Sequence, residues 1–401
     1  MKKILIIGNG VSGINVAGQI RKIDKDIEID VFTDERYHYY PRPRLIELLA
    51  GRIGVNDIYF YPDQWYKNNG INIYLNTPIR EIEPKENKVV ALDGKEFFYG
   101  KLVIASGASP SLPPIKGREK NGVFSIRKLE DVLSLKERVR SRGEAIAIGG
   151  GLLGLEIASA LQSSGIKVTV LELLPWLLPR QLDKVGGDFL QKMLEDRGLE
   201  IFTGVTTEEI LGEIEVSGVL TKDGNTIKGD TVVITAGIKS NIELAKICGA
   251  NTNKGIVVDD HLRTSIDNIY ACGDVAEWNG KVYGIIPSAL DQAKVVAQNI
   301  LGENVTYKGT VPSNMLKVAG IDLFSIGMVN PEEGYEIVSR LDDKRNIYKK
   351  FVIKDNKIVG AIVLGERKNV QQIERIIEEE IDISNFKDSI LEDDFNWRDI
   401  L

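Results

Sequence analysis

The sequence predicts an α/β protein with two Rossmann-like, doubly wound parallel sheets and a small α+β C-terminal part. Three observations carry this. A strand, glycine loop, helix pattern occurs twice, at 4–20 and at 145–161. Each copy is followed by another apolar strand that ends on an acidic residue. Beyond about residue 312 the chain alternates short strands with an amphipathic helical stretch.

With 401 residues, 43% hydrophobic and 27% charged, the chain has the composition of an ordinary globular protein with two or three cores. The net charge of −7 with both signs interspersed argues against a nucleic-acid partner. No apolar stretch approaches the roughly 20 residues that span a bilayer. The run 4–7 after Met1-Lys2-Lys3 is too short for a signal peptide. A cytoplasmic protein without integral membrane contact is expected. Cys248 and Cys272 form no CxxC pair, so no metal site is expected. His38 and His261 leave few groups for acid–base work near neutral pH, which points to a redox cofactor as the source of chemistry.

In the first copy the run 4–7 enters Gly8-Asn9-Gly10-Val11-Ser12-Gly13, and a helical pattern follows through Ile14, Ala17 and Ile20. This is a βα turn of the kind that binds dinucleotides. Gly8 makes the tight turn, Gly10 lets the backbone approach a pyrophosphate, Gly13 lets helix and strand pack closely, and the helix N-terminus faces the phosphates. The strand 27–32 then ends in Thr33-Asp34-Glu35. An acid about 20 positions past the last glycine holds a ribose diol; Glu35 stands there, with Asp34 as the alternative.

One such loop is weak evidence, because glycine also serves tight turns for steric reasons alone. The second copy changes that. The strand 145–148 leads into Gly149-Gly150-Gly151-Leu152-Leu153-Gly154, and a helix runs through Leu155, Ile157, Ala158 and Leu161. Gly149, Gly151 and Gly154 take the same three parts. The strand 167–171 ends on Glu172, whose carboxylate suits an adenosine ribose and repels a 2′-phosphate. No arginine follows before Arg180, so NADH is expected over NADPH.

Two further stretches are Ala105-Ser106-Gly107-Ala108 and Thr264-Ser265-Ile266-Asp267-Asn268-Ile269-Tyr270-Ala271-Cys272-Gly273-Asp274. With the two glycine loops, they resemble the pyridine nucleotide-disulfide oxidoreductase family over nearly the whole chain. The resemblance implies that the first loop binds FAD and the second NAD(P)H. It also places Ala105, Ser106, Gly107 and Gly273 in the flavin site. Asp274 would hydrogen-bond the ribityl chain, with a helix after it pointing its N-terminus at the cofactor.

Within the family, Tyr39-Tyr40-Pro41-Arg42-Pro43-Arg44-Leu45 and Pro312-Ser313-Asn314-Met315-Leu316-Lys317-Val318-Ala319-Gly320-Ile321-Asp322-Leu323-Phe324 resemble NADH:rubredoxin reductases and the N-terminal part of nitrite reductase large subunits. This likeness implies that Arg42 and Pro43 line the flavin and its pyrophosphate. It places Lys317 near the flavin's outer face. Glu156, in Gly154-Leu155-Glu156, would face the nicotinamide carboxamide, so Glu156 and Lys317 are the candidate catalytic residues. Gly237 is counted with the cofactor-binding glycines. The sequence departs from the family pattern at Thr33, Ile46 and Ser111.

Disulfide reductases of this fold carry a CxxxxC pair and a C-terminal histidine, and peroxidases and water-forming oxidases a single cysteine near the first domain's second helix. Here 42–51 contains no cysteine and no histidine follows His261. The flavin is therefore expected to be the only redox centre, reduced by NADH and reoxidised by a small redox protein such as rubredoxin. Arg36, Arg44 and Lys317 are candidates for a basic patch facing it. A flavin-dependent NADH oxidase that reduces oxygen, or an electron-input subunit that binds a partner, are the alternatives.

Placing these motifs gives an FAD-binding domain of 1–112 and 244–311, an NAD(H)-binding domain of 113–243 inserted in it, and a C-terminal α+β cap or interface domain of 312–401. The turn-rich stretches 109–114 and 237–241 make the links. The C-terminal part is expected to hold strands at 348–353 and 358–364 and a helix at 370–383, in a monomer or homodimer.

Overall fold

The apolar runs that flank each glycine loop become the central strands of two parallel sheets. They are seen in a computed structural model that describes residues 3–141, 143–310 and 313–401. The chain divides into two units. The first comprises Met1–Leu48, Ile53–Ser111 and Ile238–Thr310; the second comprises Leu49–Arg52, Leu112–Gly237 and Val311–Leu401.

In the first unit the sheet order is Ile269–Ala271, Lys101–Ile104, Lys3–Ile7, Glu28–Phe32, Ile71–Tyr74, with every pairing parallel. Ile4, Leu5 and Ile6 are each 0% exposed. A parallel strand covered on both faces reads as an unbroken apolar run, which is why period-two alternation is missing there. The helix Val11–Ile23 buries Ile14, Val16, Ala17 and Ile20 and packs against the helix Ile286–Ile300. Each isoleucine so buried contributes roughly 1.5–3 kcal/mol.

The second unit repeats the plan. Its parallel sheet runs Glu200–Phe202, Lys167–Leu171, Glu144–Ile148, Thr231–Ile234, Val123–Phe124. Each unit also contains a three-stranded antiparallel sheet that the sequence patterns do not announce. One is Ile79–Glu83, Lys88–Ala91 and Glu96–Phe98; the other is Thr207–Leu211, Gly218–Thr221 and Thr226–Lys228. Both fall immediately before the strand that returns to the parallel sheet, Lys101–Ile104 and Thr231–Ile234.

The C-terminal part of the second unit is a five-stranded antiparallel sheet ordered Ser313–Val318, Ile321–Gly327, Lys357–Leu364, Ile347–Lys354, Glu336–Asp342. Val370, Ile373, Ile376 and Ile377 of the helix Val370–Glu378 are buried. That helix is shorter than the apolar spacing through Ile383 predicts. Glu380 turns left-handed at φ 51°, and Ile383 reaches the core from a non-helical segment whose N–H donates to the Asn356 carbonyl at 2.8 Å. Burial at 383 is real, but chain reversal rather than helix provides it. Among the described residues no helix is long and apolar enough to cross a membrane.

The first unit's chain leaves and returns through two short strands, Ala108–Pro110 and Ile238–Ser240, paired antiparallel. Asn241 stitches this crossing. Its side chain donates to the Ser106 carbonyl at 2.8 Å and accepts from Ser109 Oγ at 2.7 Å, while its carbonyl accepts from Ser106 Oγ at 2.9 Å. Asn241→Ala removes the two side-chain bonds and is expected to lower stability by about 1–2 kcal/mol. Urea unfolding followed by circular dichroism measures this, and an unchanged midpoint would show the stitch to be dispensable.

Candidate functional site

The two glycine loops have nearly the same geometry. Gly8 and Gly149 adopt φ +114° and +115°, in the region where side chains are strained, and their N–H groups bond the ends of the neighbouring strands at Phe32 and Leu171. A methyl at Gly13 would lie 1.9 Å from the Gly8 carbonyl oxygen, and one at Gly154 would lie 1.9 Å from that of Gly149. Gly10 and Gly151, in contrast, face open space, with no atom within 4 Å of where a methyl would stand. They are also the helix N-caps, and neither provides a side-chain cap. The first-turn N–H groups of both helices are thus left for a ligand, and the helix dipole favours an anionic one. In the first loop, the buried Asn9 Oδ1 has no hydrogen-bond partner in the protein. Both cradles fit a diphosphate.

The acids that end the second strands are treated differently. Glu35 is buried, and its carboxylate accepts from Arg42 Nη2 at 2.7 Å and from the Tyr40 hydroxyl, which itself accepts from Arg42 Nη1 at 2.6 Å. Arg42 therefore braces Glu35. Asp34 beside it is exposed, as is Pro43. Thr33 Oγ1 accepts the Glu35 N–H at 3.2 Å, which closes the turn. The sequence motif assigns no role to Tyr40; a phenol between a glutamate and an arginine is visible only in three dimensions. Glu172 is also buried, yet among the described residues its carboxylate accepts only backbone N–H groups, Gly150 at 2.5 Å and Leu174 at 2.7 Å. Each of its oxygens keeps acceptor capacity for a diol.

In each sheet the strand paired with the glycine-loop strand on its other side, Lys101–Ile104 or Thr231–Ile234, leads into a segment that packs on the glycine turn. A methyl at Gly8 would strike the Ala105 carbonyl at 2.1 Å, so Ala105 lies against the first glycine turn, with Ser106 and Gly107 next along the chain. In the second unit Thr235 stands in the equivalent place, its Oγ1 donating to the carbonyls of Ile148 and Gly149 at 3.2 and 3.0 Å. Ala105-Ser106-Gly107 after 101–104 and Thr235-Ala236-Gly237 after 231–234 are the signal that pairs them. Gly237 is exposed, with φ +93° and no atom within 4 Å of the place a methyl would occupy.

Gly273, at φ +80°, packs so closely on the first turn of Val11–Ile23 that a methyl would stand 2.1 Å from Ser12 Oγ. Its N–H donates to the buried Gln292 Oε1 at 2.7 Å, from the helix Ile286–Ile300. Asp274 is half-buried, and its carbonyl accepts from Ser240 Oγ at 2.7 Å. No helix follows it. The Ala276 N–H closes a turn on the Gly273 carbonyl, and Ala276–Trp278 is claimed by parallel pairing with Ile256–Val258. The helix expected there starts instead at Ile286, with proline in its first turn.

Glu156 is half-buried on the first turns of Leu152–Ser163, and burial pushes its carboxyl up to about 7 against the opposing pull of Arg52. Lys317 is exposed on Ser313–Val318, opposite Asp322 in register. Pro312 lies outside the described residues. Arg36 is exposed and donates to the Tyr37 hydroxyl at 2.9 Å, whereas Arg44 spends its guanidinium on the carbonyls of Asp57 and Tyr59 at 2.9 and 3.1 Å. Arg44 thus secures a loop. Both cysteines are free thiols; burial raises Cys272 to about 12 and also raises Cys248, which disfavours the thiolate in each.

The chain matches the family model described as pyridine nucleotide-disulphide oxidoreductase over residues 2–299, and that described as rubredoxin NAD+ reductase C-terminal domain over 312–381. It is 37% identical over 386 residues to a nitrite reductase [NAD(P)H] of Bacillus subtilis (strain 168), covering 96% of this chain but 48% of that protein, so it spans about half its relative's length. It is 34% identical over 365 residues to an NADH-rubredoxin oxidoreductase of Clostridium acetobutylicum, covering 91% of each. Among solved structures, that of a covalent putidaredoxin reductase-putidaredoxin complex superimposes with a TM-score of 0.86 at 25% identity, covering 95% of this chain and 94% of that one.

Glu156 gives this geometry a pH signature. Because the folded carboxyl titrates near 7 rather than its ordinary 4.5, stability is full below about pH 4.5 and is lost as pH rises through about 7. Glu156→Gln removes that loss. The variant should be more stable than the parent by roughly 1–3 kcal/mol at pH 8 and equal to it near pH 4.5. Thermal melts across this range check it; a gain independent of pH would show that packing, not ionisation, is at work.

Proposed function

Because this chain belongs to the pyridine nucleotide-disulphide oxidoreductase family and is an FAD-dependent oxidoreductase, we propose that it carries electrons from NADH through FAD to a small redox protein such as rubredoxin. The observation that carries this reading is the pair of matched glycine cradles, each opening an uncapped helix start to an anion, in a chain whose two thiols are disfavoured as thiolates. Bound FAD would supply the chemistry, accepting an electron pair from NADH and releasing electrons to its acceptor.

Its own residues bind and orient. In this reading FAD belongs to the domain formed by 1–112 and 244–311, NADH to 113–243, and 312–401 is the cap or interface domain. Gly8, Gly10 and Gly13 cradle the FAD diphosphate. Glu35, braced by Arg42 and Tyr40, takes the ribose, with Asp34 as its exposed neighbour and Pro43 shaping the turn. Ala105, Ser106, Gly107 and Gly273 form the wall, and Asp274 holds the ribityl chain. Gly149, Gly151, Gly154 and Gly237 receive NADH, and Glu172 accepts its ribose hydroxyls. Glu156, protonated in part at neutral pH, can donate a hydrogen bond to the carboxamide. Exposed Lys317 offers positive charge to an acidic acceptor.

The likeness to a nitrite reductase [NAD(P)H] supports a second reading, as an electron-input subunit that binds a partner. Direct reduction of oxygen is the third. Stopped-flow mixing of NADH-reduced protein with rubredoxin, ferredoxin, oxygen and a quinone separates them; the proposal expects rubredoxin or ferredoxin to reoxidise it fastest. Indifference to all four would remove the proposed acceptor class.

The cradles can be tested separately, since Gly10 and Gly151 have room for a methyl in the fold but not beside a diphosphate. Gly10→Ala should fold normally and purify with little flavin. Gly151→Ala should keep its flavin and bind NADH roughly tenfold or more weakly. Absorbance at flavin wavelengths and a nucleotide titration read the two outcomes; full flavin in Gly10→Ala would move the FAD site elsewhere.

A further inference from the structure

The loop from Leu173 to Asp183, between Glu172 and the helix Lys184–Glu195, holds a conformation that its own sequence does not favour. Leu178 is buried at φ +52°, a left-handed conformation that bulky side chains rarely adopt. Its carbonyl closes the turn by accepting the N–H groups of Gln181 and Leu182, each at 2.8 Å. Such strain persists only where the surroundings over-determine the backbone, and it concentrates at ligand clamps.

The surroundings here are the C-terminal antiparallel sheet and the connection between its strands Ile321–Gly327 and Glu336–Asp342. Asn330 Nδ2 donates to the carbonyls of Pro179 and Leu182 at 3.0 and 3.1 Å, which fixes the far half of the loop. Asp183 ends it. One of its carboxylate oxygens caps the helix by accepting the Gly186 N–H at 3.0 Å; the other accepts from the Tyr348 hydroxyl at 2.8 Å and from Lys350 Nζ at 2.9 Å. Lys350 is only 5% exposed and gives a further bond to the Val329 carbonyl at 2.9 Å. An ammonium so buried needs its partner, and removing either member leaves an uncompensated charge. At the near end of the loop, the Leu174 N–H donates to Glu172.

We infer that Lys350, Tyr348 and Asn330 are positioning residues for the nucleotide. Through Asp183 and the strained turn at Leu178, the C-terminal sheet fixes the loop 173–183 and thereby the backbone N–H that orients the Glu172 carboxylate. The inference rests on the proposed NADH site at Glu172. It makes the C-terminal part a determinant of nucleotide affinity in addition to its other roles. A merely structural ion pair would stabilise the fold without selective effect on the nucleotide.

The test uses the flavin-loaded full chain and its variants Lys350→Met, Lys350→Arg and Asn330→Ala. The readouts are calorimetric titration with NAD+, NADH kinetics with ferricyanide as acceptor, and amide hydrogen exchange. In Lys350→Met and Asn330→Ala, the Kd for NAD+ and the KM for NADH should rise roughly tenfold, with kcat within about twofold and flavin content unchanged. Exchange in 173–183 should quicken. Lys350→Arg, which keeps the charge, should stay near the parent. Combined with Glu172→Gln, the loss from Lys350→Met should be less than additive. A lowered Tm with unchanged Kd and unchanged exchange in 173–183 overturns the inference, and so does full additivity. If Lys350→Met does not fold, Asn330→Ala, altered at an exposed position, decides in its place. A parent chain that binds no NAD+ overturns the nucleotide site and this inference together; a parent that binds and variants that bind equally overturn the inference alone.

Discussion

Both halves of the proposed chemistry depend on an approach of helix to loop too close for any side chain. The carbonyls of Gly8 and Gly149 stand where a methyl on Gly13 or Gly154 would have to be. This contact sets how each helix leaves its strand, and so where its unpaired first-turn N–H groups gather. Glycine at the cap then keeps them uncovered. A serine or aspartate there would satisfy one of those donors internally and stabilise the isolated helix by about 1 kcal/mol. The protein forgoes that stabilisation in both copies, which is what a site that spends those donors on a ligand requires.

The two cradles differ where it matters for how tightly a nucleotide stays. Glu35 is braced by a guanidinium and a phenol, two side chains that hold its carboxylate from within the same turn. Among the described residues Glu172 is held by two backbone N–H groups, those of Gly150 and Leu174. A rigid charged frame suits a resident prosthetic group. A lighter frame that still presents free acceptor positions suits a molecule that must arrive and leave at each turnover. With Cys272 buried and Cys248 backed against its own helix, redox chemistry in this reading falls to the bound cofactor.

Much of this is legible in the sequence because it is local. The strand runs 4–7 and 145–148 are uniformly apolar since both sheet faces are covered, and the glycine spacing encodes a contact between residues five apart. The small antiparallel sheets are not legible. Their strands are three to five residues long, too short for a periodic signal. Asp274 misleads for a related reason: a strand end followed by glycine and an acid looks like a helix start, but the pairing of Ala276–Trp278 with Ile256–Val258 decides otherwise. The apolar spacing over 370–383 overextends the last helix because burial continues after the helix stops. Asn241 and the Asp183–Lys350 pair act across folded distances that no spacing rule reaches, whereas Tyr40 lies within five residues of both its partners and is missed because the motif gives a phenol there no role.

That last pair has a consequence for how such proteins diversify. The stretch 112–237 enters and leaves beside one antiparallel strand pair, so its ends are neighbours and it has the form of an exchangeable cassette. Its loop at Asp183, however, is anchored by an ammonium from a different stretch of chain, more than a hundred residues later. Transplanting the cassette without its anchor would leave a half-buried acid with no counterion. Recombination between relatives is therefore constrained to move the two stretches together or to re-match them by compensating substitutions, and lineages should trade them as a linked pair.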